Sequence, residues 1–368
     1  MKKYSTIHYQ QYLELEQLLS SQKPRSEELG VPAHEEMLFI IVHQVYELWF
    51  KQIIHELDSV VGMFSDDLVD ERSIGTAVAR LDRVIEIQKL LIGQIRIMET
   101  MTPLDFLDFR NYLFPASGFQ SFQFRLIETL LGLESSKRLT YNNQPYDSVF
   151  PEKQRDILRG IESGKTILRA VEAWLERTPF LAFKGFDFLE NYRKAVATML
   201  DKEKNAILES DYLTDSEKSM RLNMLGSSDS YFQSVFDAQQ HNILRGQGRL
   251  SLSYKATIAA LLITLYNEEP ILQMPFNLLK RLVEIDENWT TWRYRHAQMV
   301  RRMLGQKIGT GGSSGFNYLA ETASKHQIFS DFHNLSTLLI PRSELPQLPN
   351  DVRKELGFYF SKGKNESV

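Results

Sequence analysis

The sequence predicts an all-α protein: a helical bundle with a small inserted helical subdomain and an N-terminal arm. Apolar residues recur at three- and four-residue spacing through most of the 368 residues, which is the period of an amphipathic helix. Prolines, glycines and short polar runs separate these periodic segments. The sequence contains no convincing strand pattern and no internal repeat. Together these observations favour helices packed on helices.

The composition excludes several classes of protein and site. A formal net charge of -4 and a pI of about 6.1 create no field that would attract nucleic acid or a membrane surface, so we expect neither partner. The chain has no cysteine, which rules out disulfides, zinc fingers, iron–sulfur clusters, thiolate catalysis and covalent C-x-x-C-H haem attachment. The N-terminus lacks an apolar signal core, and the uninterrupted apolar runs are shorter than the roughly 20 residues that cross a bilayer. We therefore expect a cytoplasmic protein.

Residues 1–33 are predicted to form the arm. Within them, 9–19 (YQQYLELEQLL) repeats apolar groups at helical spacing, and the proline-containing stretch 22–31 connects this segment to the next one. Tyr9 and Tyr12 are three residues apart and share one helical face. The pattern alone favours an amphipathic arm packed on the body of the protein.

Residues 34–64 predict a central helix of about eight turns. Acidic residues occupy its first turn, where the helix dipole favours negative charge. Phe39, His43, Glu47 and Phe50 succeed each other at three- and four-residue steps, so an imidazole projects from a partly aromatic face. Such a face could cover a flat ligand, although a purely structural histidine remains the alternative.

A short helix is predicted after residue 102. Thr102, Pro103 and Asp105 form a typical start, with a cap, a proline in the first turn and an acid behind it. Arg110 lies on the apolar side of this helix together with Phe106. An arginine there needs an anionic partner, which is either a protein carboxylate or the carboxylate of a bound ligand.

The other segments are assigned from the same periodicity and from the residues that bound them. Residues 185–248 are charged and polar, and we interpret them as a small helical subdomain inserted into a core made of 34–184 and 249–341. The tail, 342–368, is proline-rich and is predicted to be extended. The further predicted helices are 75–97, one beginning at Phe119, 157–177, 251–266, 276–285 and 315–326, with an irregular connector over 135–156 and a break at Pro270 and Pro275.

The stretch 292–315, WRYRHAQMVRRMLGQKIGTGGSSG, predicts a helix that leads into a glycine- and serine-rich loop. His296 points inward because it shares one helical stripe with Trp292, Met299, Val300 and Met303. An imidazole among apolar groups must form a hydrogen bond, lose its charge or hold a metal. The alternative is a core histidine that only forms hydrogen bonds with other residues of the protein and holds no metal. Four arginines are predicted to lie off this stripe: Arg293, Arg295, Arg301 and Arg302.

The sequence lacks several familiar site motifs. The glycine loop has neither the lysine and hydroxyl of a P-loop nor the final glycine of G-x-G-x-x-G, because Ser314 stands in that place. No histidine pair at i, i+4 and no Glu-x-x-His arrangement places two metal ligands on one helical face. Single histidines on apolar or aromatic faces remain, and one axial nitrogen is what a b-type haem needs, since the porphyrin supplies four ligands. Spacing alone indicates no reaction.

Four long segments together resemble the tryptophan 2,3-dioxygenase family. They are HEEMLFIIVHQVYELWFKQIIHELDSV, MTPLDFLDFRNYLFPASGFQSFQFRLIE, VEAWLERTP and WRYRHAQMVRRMLGQKIGTGGSSG, and the resemblance runs from about residue 9 to residue 341. It implies an all-helical protein with one haem b per subunit, ferrous in the active form. It also implies a homotetramer, built as a dimer of dimers, that opens the indole ring of L-tryptophan with O2. The product would be N-formyl-L-kynurenine, in the first step of the kynurenine pathway.

The resemblance also implies roles for individual residues. His296 matches the proximal haem ligand, His43 the distal histidine that hydrogen-bonds the indole N–H, and Arg110 the arginine that grips the substrate carboxylate. In the family, the two arm tyrosines reach into a neighbouring subunit's site. Phe106 stands where some bacterial members carry tyrosine, so that hydroxyl is missing here. The remaining implied residues are Phe39, Phe106, Thr310, Tyr9 and Tyr12 for the substrate, and Ser117, Trp292 and Gly311 beside the haem.

These implications lead to an expected reaction and leave alternatives open. We expect oxygen to add directly to the indole C2–C3 bond, with His43 orienting the ring more than removing its proton. A related haem enzyme that uses a modified indole or another aromatic amino acid is the main alternative. A non-enzymatic haem sensor or carrier and a purely structural helical protein are the others.

Overall fold

A computed structural model describes residues 5–64, 69–140, 144–179, 181–183, 185–307 and 316–357. Helices dominate it, which confirms the predicted all-α class. The α-helices are α1 (Tyr9–Tyr12), α2 (Leu15–Leu19), α3 (Arg25–Glu28), α4 (Glu35–Met63), α5 (Glu71–Met98), α6 (Pro103–Arg110), α7 (Phe122–Leu131), α8 (Glu152–Ser163), α9 (Ile167–Leu175), α10 (Phe188–Glu209), α11 (Asp215–Phe236), α12 (Ala238–Gly246), α13 (Tyr254–Leu265), α14 (Pro270–Leu304), α15 (Phe316–Lys325), α16 (Ser330–Asn334) and α17 (Asn350–Leu356). Short 3-10 turns cover Asn111–Leu113, Gly118–Gln120, Ser135–Lys137, Leu335–Leu338 and Arg342–Glu344.

One hairpin is present that the sequence did not predict. Strands β1 (Ala182–Phe183) and β2 (Phe186–Asp187) pair antiparallel, with Ala182 opposite Asp187 and Phe183 opposite Phe186. Gly185, in the turn, has a φ of +79°, a conformation that glycine adopts without steric strain. Strands of two residues are too short to show alternation, so the pattern gave no signal.

The helix predicted over 276–285 and the one beginning at Trp292 are a single helix, α14. Pro275 does not separate it from the preceding residues, because α14 already begins at Pro270 and contains Pro275 near its N-terminal end. Pro275 lies inside the helix and removes one i→i−4 hydrogen bond, yet the helix continues through it. The helix predicted over 157–177 is instead two helices, α8 and α9, with Gly164 directly after the first.

Both ends of the chain differ from the predicted pattern. The helix predicted over 9–19 is broken into α1 and α2 at Glu14, whose φ of +50° lies outside helical geometry. The tail is not extended throughout, since α17 forms within it and buries Val352 and Leu356. Two apolar residues at i, i+4 suffice to hold so short a helix against a neighbour, and a proline-rich context hides that signal.

The described residues form two compact units. Unit 1 draws on Met1–Glu56, Val84–Gly164 and Glu287–Gln327, and unit 2 draws on Leu57–Arg83, Lys165–Asp286 and Ile328–Val368. The boundaries predicted for the inserted subdomain and the core stay predictions. The predicted site residues that the structure describes all belong to unit 1.

The core of unit 1 brings α4, α6 and α14 together. Val42 of α4, Phe109 of α6 and Met303 of α14 are buried in one cluster with Met98 and Met101. Each such side chain contributes roughly 1.5 to 3 kcal/mol when it leaves water. Among the described helices, α4 alone is long and apolar enough to cross a membrane by length and composition. A core helix that buries Val42, Phe50 and Ile53 passes the same test.

Candidate active site

The tautomer of His43 is set by the helix that carries it. Its Nδ1 lies 2.7 Å from the carbonyl oxygen of Phe39, one turn earlier on α4, so Nδ1–H donates to that carbonyl. The two rings lie 4.1 Å apart and are tilted by 35°. Nε2 then carries no proton and is a hydrogen-bond acceptor. His43 can therefore receive a hydrogen bond from a donor on a bound molecule.

Three phenylalanines make an aromatic wall beside His43. Phe39 lies 5.8 Å from Phe106 and 5.5 Å from Phe109 between ring centroids, and the latter two are 5.4 Å apart and edge-on. Phe109 is fully buried, whereas Phe39 and Phe106 remain half-buried. Edge-to-face contacts of this kind stabilise a fixed arrangement of rings. The sequence pointed to Phe39 and Phe106 but missed Phe109, whose place in the helical period was the only signal.

The helix α6 begins with a capping box that fixes the position of this wall. The Thr102 hydroxyl accepts from the N–H of Asp105 at 3.3 Å, and the Asp105 carboxylate accepts from the N–H of Thr102 at 2.9 Å. Pro103 occupies the first helical position, as predicted. Arg110, at the last position of α6, is half-buried. The cap thus sets where Phe106 and Arg110 stand.

His296 belongs to an aromatic stack on α14. Its ring lies parallel to that of Trp292 at 5.3 Å, and Trp292 in turn contacts Phe124 at 5.1 Å. Burial, with a smaller effect of His43, lowers the pKa of His296 to about 4. The His296 ring makes no hydrogen bond to any other residue of the described ranges. A neutral imidazole with a free nitrogen lone pair is the form that binds a metal.

Both imidazoles belong to unit 1 and lie within electrostatic range of each other, and we call the region that they share the recess. His296 is half-buried and His43 keeps a larger accessible surface, yet burial by the surrounding protein lowers the pKa of each. Solvent reaches the accessible part of the His43 ring and moderates the lowering of its pKa. The effect of one histidine on the pKa of the other places them within electrostatic range.

An unbonded buried donor lies next to His296. The Trp292 Nε1–H is buried and makes no hydrogen bond of normal geometry within the described part of the chain. It is nevertheless near enough to the Tyr46 hydroxyl to lower that group's pKa slightly, against the burial that raises the pKa to about 12. The Tyr46 hydroxyl donates to the Leu91 carbonyl at 2.6 Å. Trp292 Nε1 is therefore open to an acceptor on a bound molecule.

Five other residues were predicted to belong to the site, and the structure describes three of them: Ser117, Tyr9 and Tyr12. Ser117 caps the 3-10 turn that follows it, accepting from the Phe119 N–H at 3.4 Å. Tyr9 and Tyr12 are about 70% exposed, at 68% and 71%, on the arm. Thr310 and Gly311 lie outside the described residues.

No cluster of three or more histidine, aspartate or glutamate side chains that could hold a metal ion occurs in the ranges that the structure describes. A cofactor that brings its own equatorial ligands needs only one such nitrogen. His296 can supply it, and the aromatic wall of α4 and α6 suits a flat ligand.

An all-helical fold with two neutral histidines close together fits an oxidoreductase, the class of the family that the chain matches. The family model for tryptophan 2,3-dioxygenase matches residues 2–339. A tryptophan 2,3-dioxygenase of Bdellovibrio bacteriovorus is 51% identical over 358 residues, covering 97% of this chain and 100% of the relative. Those of Dictyostelium discoideum and Mus musculus are 47% and 46% identical, over 96% and 95% of this chain and 89% and 86% of the relatives. The chain belongs to the tryptophan 2,3-dioxygenase family.

Proposed function

We propose that this protein uses haem b to cleave the indole C2–C3 bond of L-tryptophan with O2, giving N-formyl-L-kynurenine in the first step of the kynurenine pathway. Membership of the family supports the reaction. The observation that carries the cofactor is His296: a neutral, unbonded imidazole in a recess that also contains His43. The cysteine-free sequence fits the reducing cytoplasm, where we place the protein.

The residues of the recess fit a haem. His296 offers one axial nitrogen, and the buried Trp292 N–H offers a donor with no partner of normal geometry in the described ranges. The half-buried faces of Phe39, Phe106 and Met299 provide apolar surface around the shared cluster. When bound, haem supplies the iron that activates O2 for addition to the indole ring. We assign one haem to each subunit, reduced in the active state.

His43 is proposed to orient the substrate. Because its Nδ1–H is engaged by the Phe39 carbonyl, its Nε2 can accept the indole N–H. A neutral histidine that only accepts this hydrogen bond holds the ring in place without taking the proton. The rings of Phe39 and Phe106 provide a matching apolar wall for the indole.

Arg110 and Thr310 are proposed to hold the amino-acid end of the substrate. The planar guanidinium of Arg110 matches a carboxylate in a bidentate pair, and its position at the end of α6 puts it one turn beyond Phe106. A single rigid helix would thus contact both the ring and the acid of tryptophan. Such two-point contact distinguishes the amino acid from indole alone.

We further propose a homotetramer, a dimer of dimers, in which the arm completes a neighbouring site. The arm exposes Tyr9, Tyr12 and Leu19, and unit 1 exposes Leu104 and Phe114 at 74% and 72%. Exposed apolar groups in this number are typical of surfaces that another chain covers. A second copy would bury them.

The direct test supplies the reduced, haem-loaded protein with tryptophan and 18O-labelled O2. We expect formylkynurenine to appear with one O2 consumed per product and with both labelled atoms in it. Product that carries one labelled atom, or O2 uptake that does not depend on tryptophan, would contradict the dioxygenase reaction.

The main alternative is a haem enzyme that acts on a modified indole or another aromatic amino acid. Pocket shape decides between these substrates, and methylene-sized differences are worth only about 1 to 3 kcal/mol. Comparing kcat/KM for tryptophan with that for ring-substituted tryptophans and phenylalanine separates the two. A substituted indole that is used more efficiently than tryptophan would favour the alternative.

A further inference from the structure

Glu128 is a buried carboxylate that joins four parts of unit 1. It is 2% exposed on α7, and its Oε2 accepts from Arg125 at 2.7 Å and from Arg138 at 2.5 Å. Its Oε1 accepts from Arg293 of α14 at 2.8 Å. His326, directly after α15, lies with its Nδ1 3.6 Å from the same Oε1, beyond hydrogen-bond distance. We call this group the Glu128 cluster: Glu128, Arg125, Arg138, Arg293 and His326.

The Glu128 cluster is held by electrostatics and by the backbone. Burial alone would raise the pKa of Glu128, but its arginine neighbours hold it well below the usual range, so the carboxylate is charged. The His326 Nε2 accepts from the backbone N–H of Leu139 at 3.1 Å, and Arg293 also donates to the His326 carbonyl at 3.3 Å. A buried ion pair of this kind is rigid because each partner loses its compensation if it moves.

Arg293 is predicted to lie off the stripe of α14 that carries His296, and the structure directs it elsewhere, burying it against Glu128. It is 4% exposed, and it precedes His296 by three residues, close to one helical turn. The two side chains leave the helix in different directions, Arg293 to Glu128 and His296 to the recess. A contact that fixes Arg293 therefore fixes the rotation of α14 about its axis at the turn that bears His296.

The same cluster also holds the end of α15. Arg293 and His326 lie on either side of the glycine- and serine-rich segment 308–315 in the sequence, and both contact Glu128 or each other. Arg293 therefore joins the helix that carries His296 both to the Glu128 carboxylate and to the end of the helix that follows this segment.

We propose that Arg293, held by Glu128, is a positioning residue that sets the orientation of His296 toward its ligand. This inference rests on the proposed function only where it concerns haem; the orientation of the imidazole is a property of the chain itself. Nothing in the mechanism above uses the Glu128 cluster, and within the described residues no hydrogen bond or ring contact joins its members to His296.

The experiment compares Arg293→Met with Arg138→Met in the full-length protein. Both variants remove one arginine from the same buried carboxylate, but Arg138 does not belong to α14. Urea unfolding measures the free energy of unfolding of each variant, and we expect the two variants to lose similar amounts. Arg293→Lys and Arg138→Lys form a second, milder pair, which is used if the methionine variants do not fold.

Two readouts report on His296 and not on stability. In haem-free protein labelled with 15N-histidine, the ring resonance of His296 should shift in Arg293→Met and stay in place in Arg138→Met. In the haem-loaded protein, haem loss to excess apomyoglobin should be at least about tenfold faster in Arg293→Met and within about twofold of the parent in Arg138→Met. The iron–imidazole vibration should move in the first variant alone.

The outcomes separate the two proposals. Equal changes in both variants, or none in Arg293→Met, overturn the positioning role of Arg293. If the parent protein takes up no haem but the His296 resonance still shifts in Arg293→Met alone, the positioning role is supported and the proposed cofactor is contradicted.

Discussion

At the scale of single residues, the backbone and the surrounding charges decide what a histidine can do. The Phe39 carbonyl accepts a hydrogen bond from the Nδ1–H of His43, and burial keeps the ring neutral. Periodicity predicted which face of α4 His43 occupies, but not its tautomer, because that depends on a rotamer. Helical periodicity also could not predict the partner of Arg293, because Glu128 is 165 residues away in the sequence. No local pattern encodes such a pair.

The hydrogen bond of His43 leads to a prediction with N-methylated substrate. His43→Ala should weaken tryptophan binding by roughly 3- to 10-fold, the value of one hydrogen bond of about 1 kcal/mol. Binding of 1-methyltryptophan, which has no indole N–H, should not weaken. Dissociation constants from anaerobic absorbance titration check this. A near-total loss of turnover with unchanged tryptophan affinity would instead indicate obligatory base chemistry.

The pH dependence of binding follows from the same residue. Burial lowers the pKa of His43 below 6.5, opposed by the hydrogen bond to Phe39 and the charge of Glu47. Protonation at Nε2 removes the acceptor, so tryptophan affinity should be constant from pH 8 to 6.5 and fall only below that. Glu47→Gln should move the fall to still lower pH, because an opposing negative charge is gone. An affinity that already falls above pH 6.5 would argue against a neutral, desolvated His43.

At the scale of elements, helix ends place the site. The start of α6 agrees with the prediction from Thr102 and Pro103, since a cap is a local signal. The merger of two predicted helices into α14 was not predictable, because a proline normally ends a helix and local sequence does not show that this one continues through Pro275. The hairpin was not predicted because strands of two residues are too short to show an alternating pattern.

The cap of α6 can be tested against an equivalent cap elsewhere. Thr102→Ala should cost about 1 kcal/mol of stability and raise KM for tryptophan by up to about fivefold, because Phe106 and Arg110 lose a fixed helix start. Thr214→Ala removes the same capping box from α11 in unit 2 and should cost similar stability without changing KM. Urea unfolding and steady-state kinetics measure both. Equal KM values in the two variants would show that α6 is held by packing alone.

At the scale of the whole molecule, the arm leaves the body from a fixed point. The buried Glu36 accepts the backbone N–H groups of Arg25 and Ser26, each at 2.8 Å, while Tyr9 and Tyr12 beyond them are exposed. The amphipathic pattern predicted an arm packed on its own chain, and exposure of both tyrosines contradicts this. Sequence periodicity shows that a face is apolar; it does not show which chain covers it.

A mixing experiment tests whether arms are shared between subunits. A chain lacking residues 1–20 and the His296→Gly chain should each have low activity alone. Mixed and reassembled, they should regain part of the parent activity, since the second chain can lend its arm to an intact site of the first. Light scattering on the separate and mixed samples verifies assembly. Activity that never exceeds the sum of the two would mean that arms do not cross between subunits.

The axial role of His296 is the central claim, and its cavity variant tests it most directly. Reconstituted His296→Gly should hold far less than one haem per chain, and added imidazole should restore both the absorbance spectrum and part of the tryptophan turnover, because the small ligand replaces the missing ring. The measurement is haem stoichiometry and spectrum with and without imidazole. Stoichiometric haem and full activity in His296→Gly without imidazole would contradict the account.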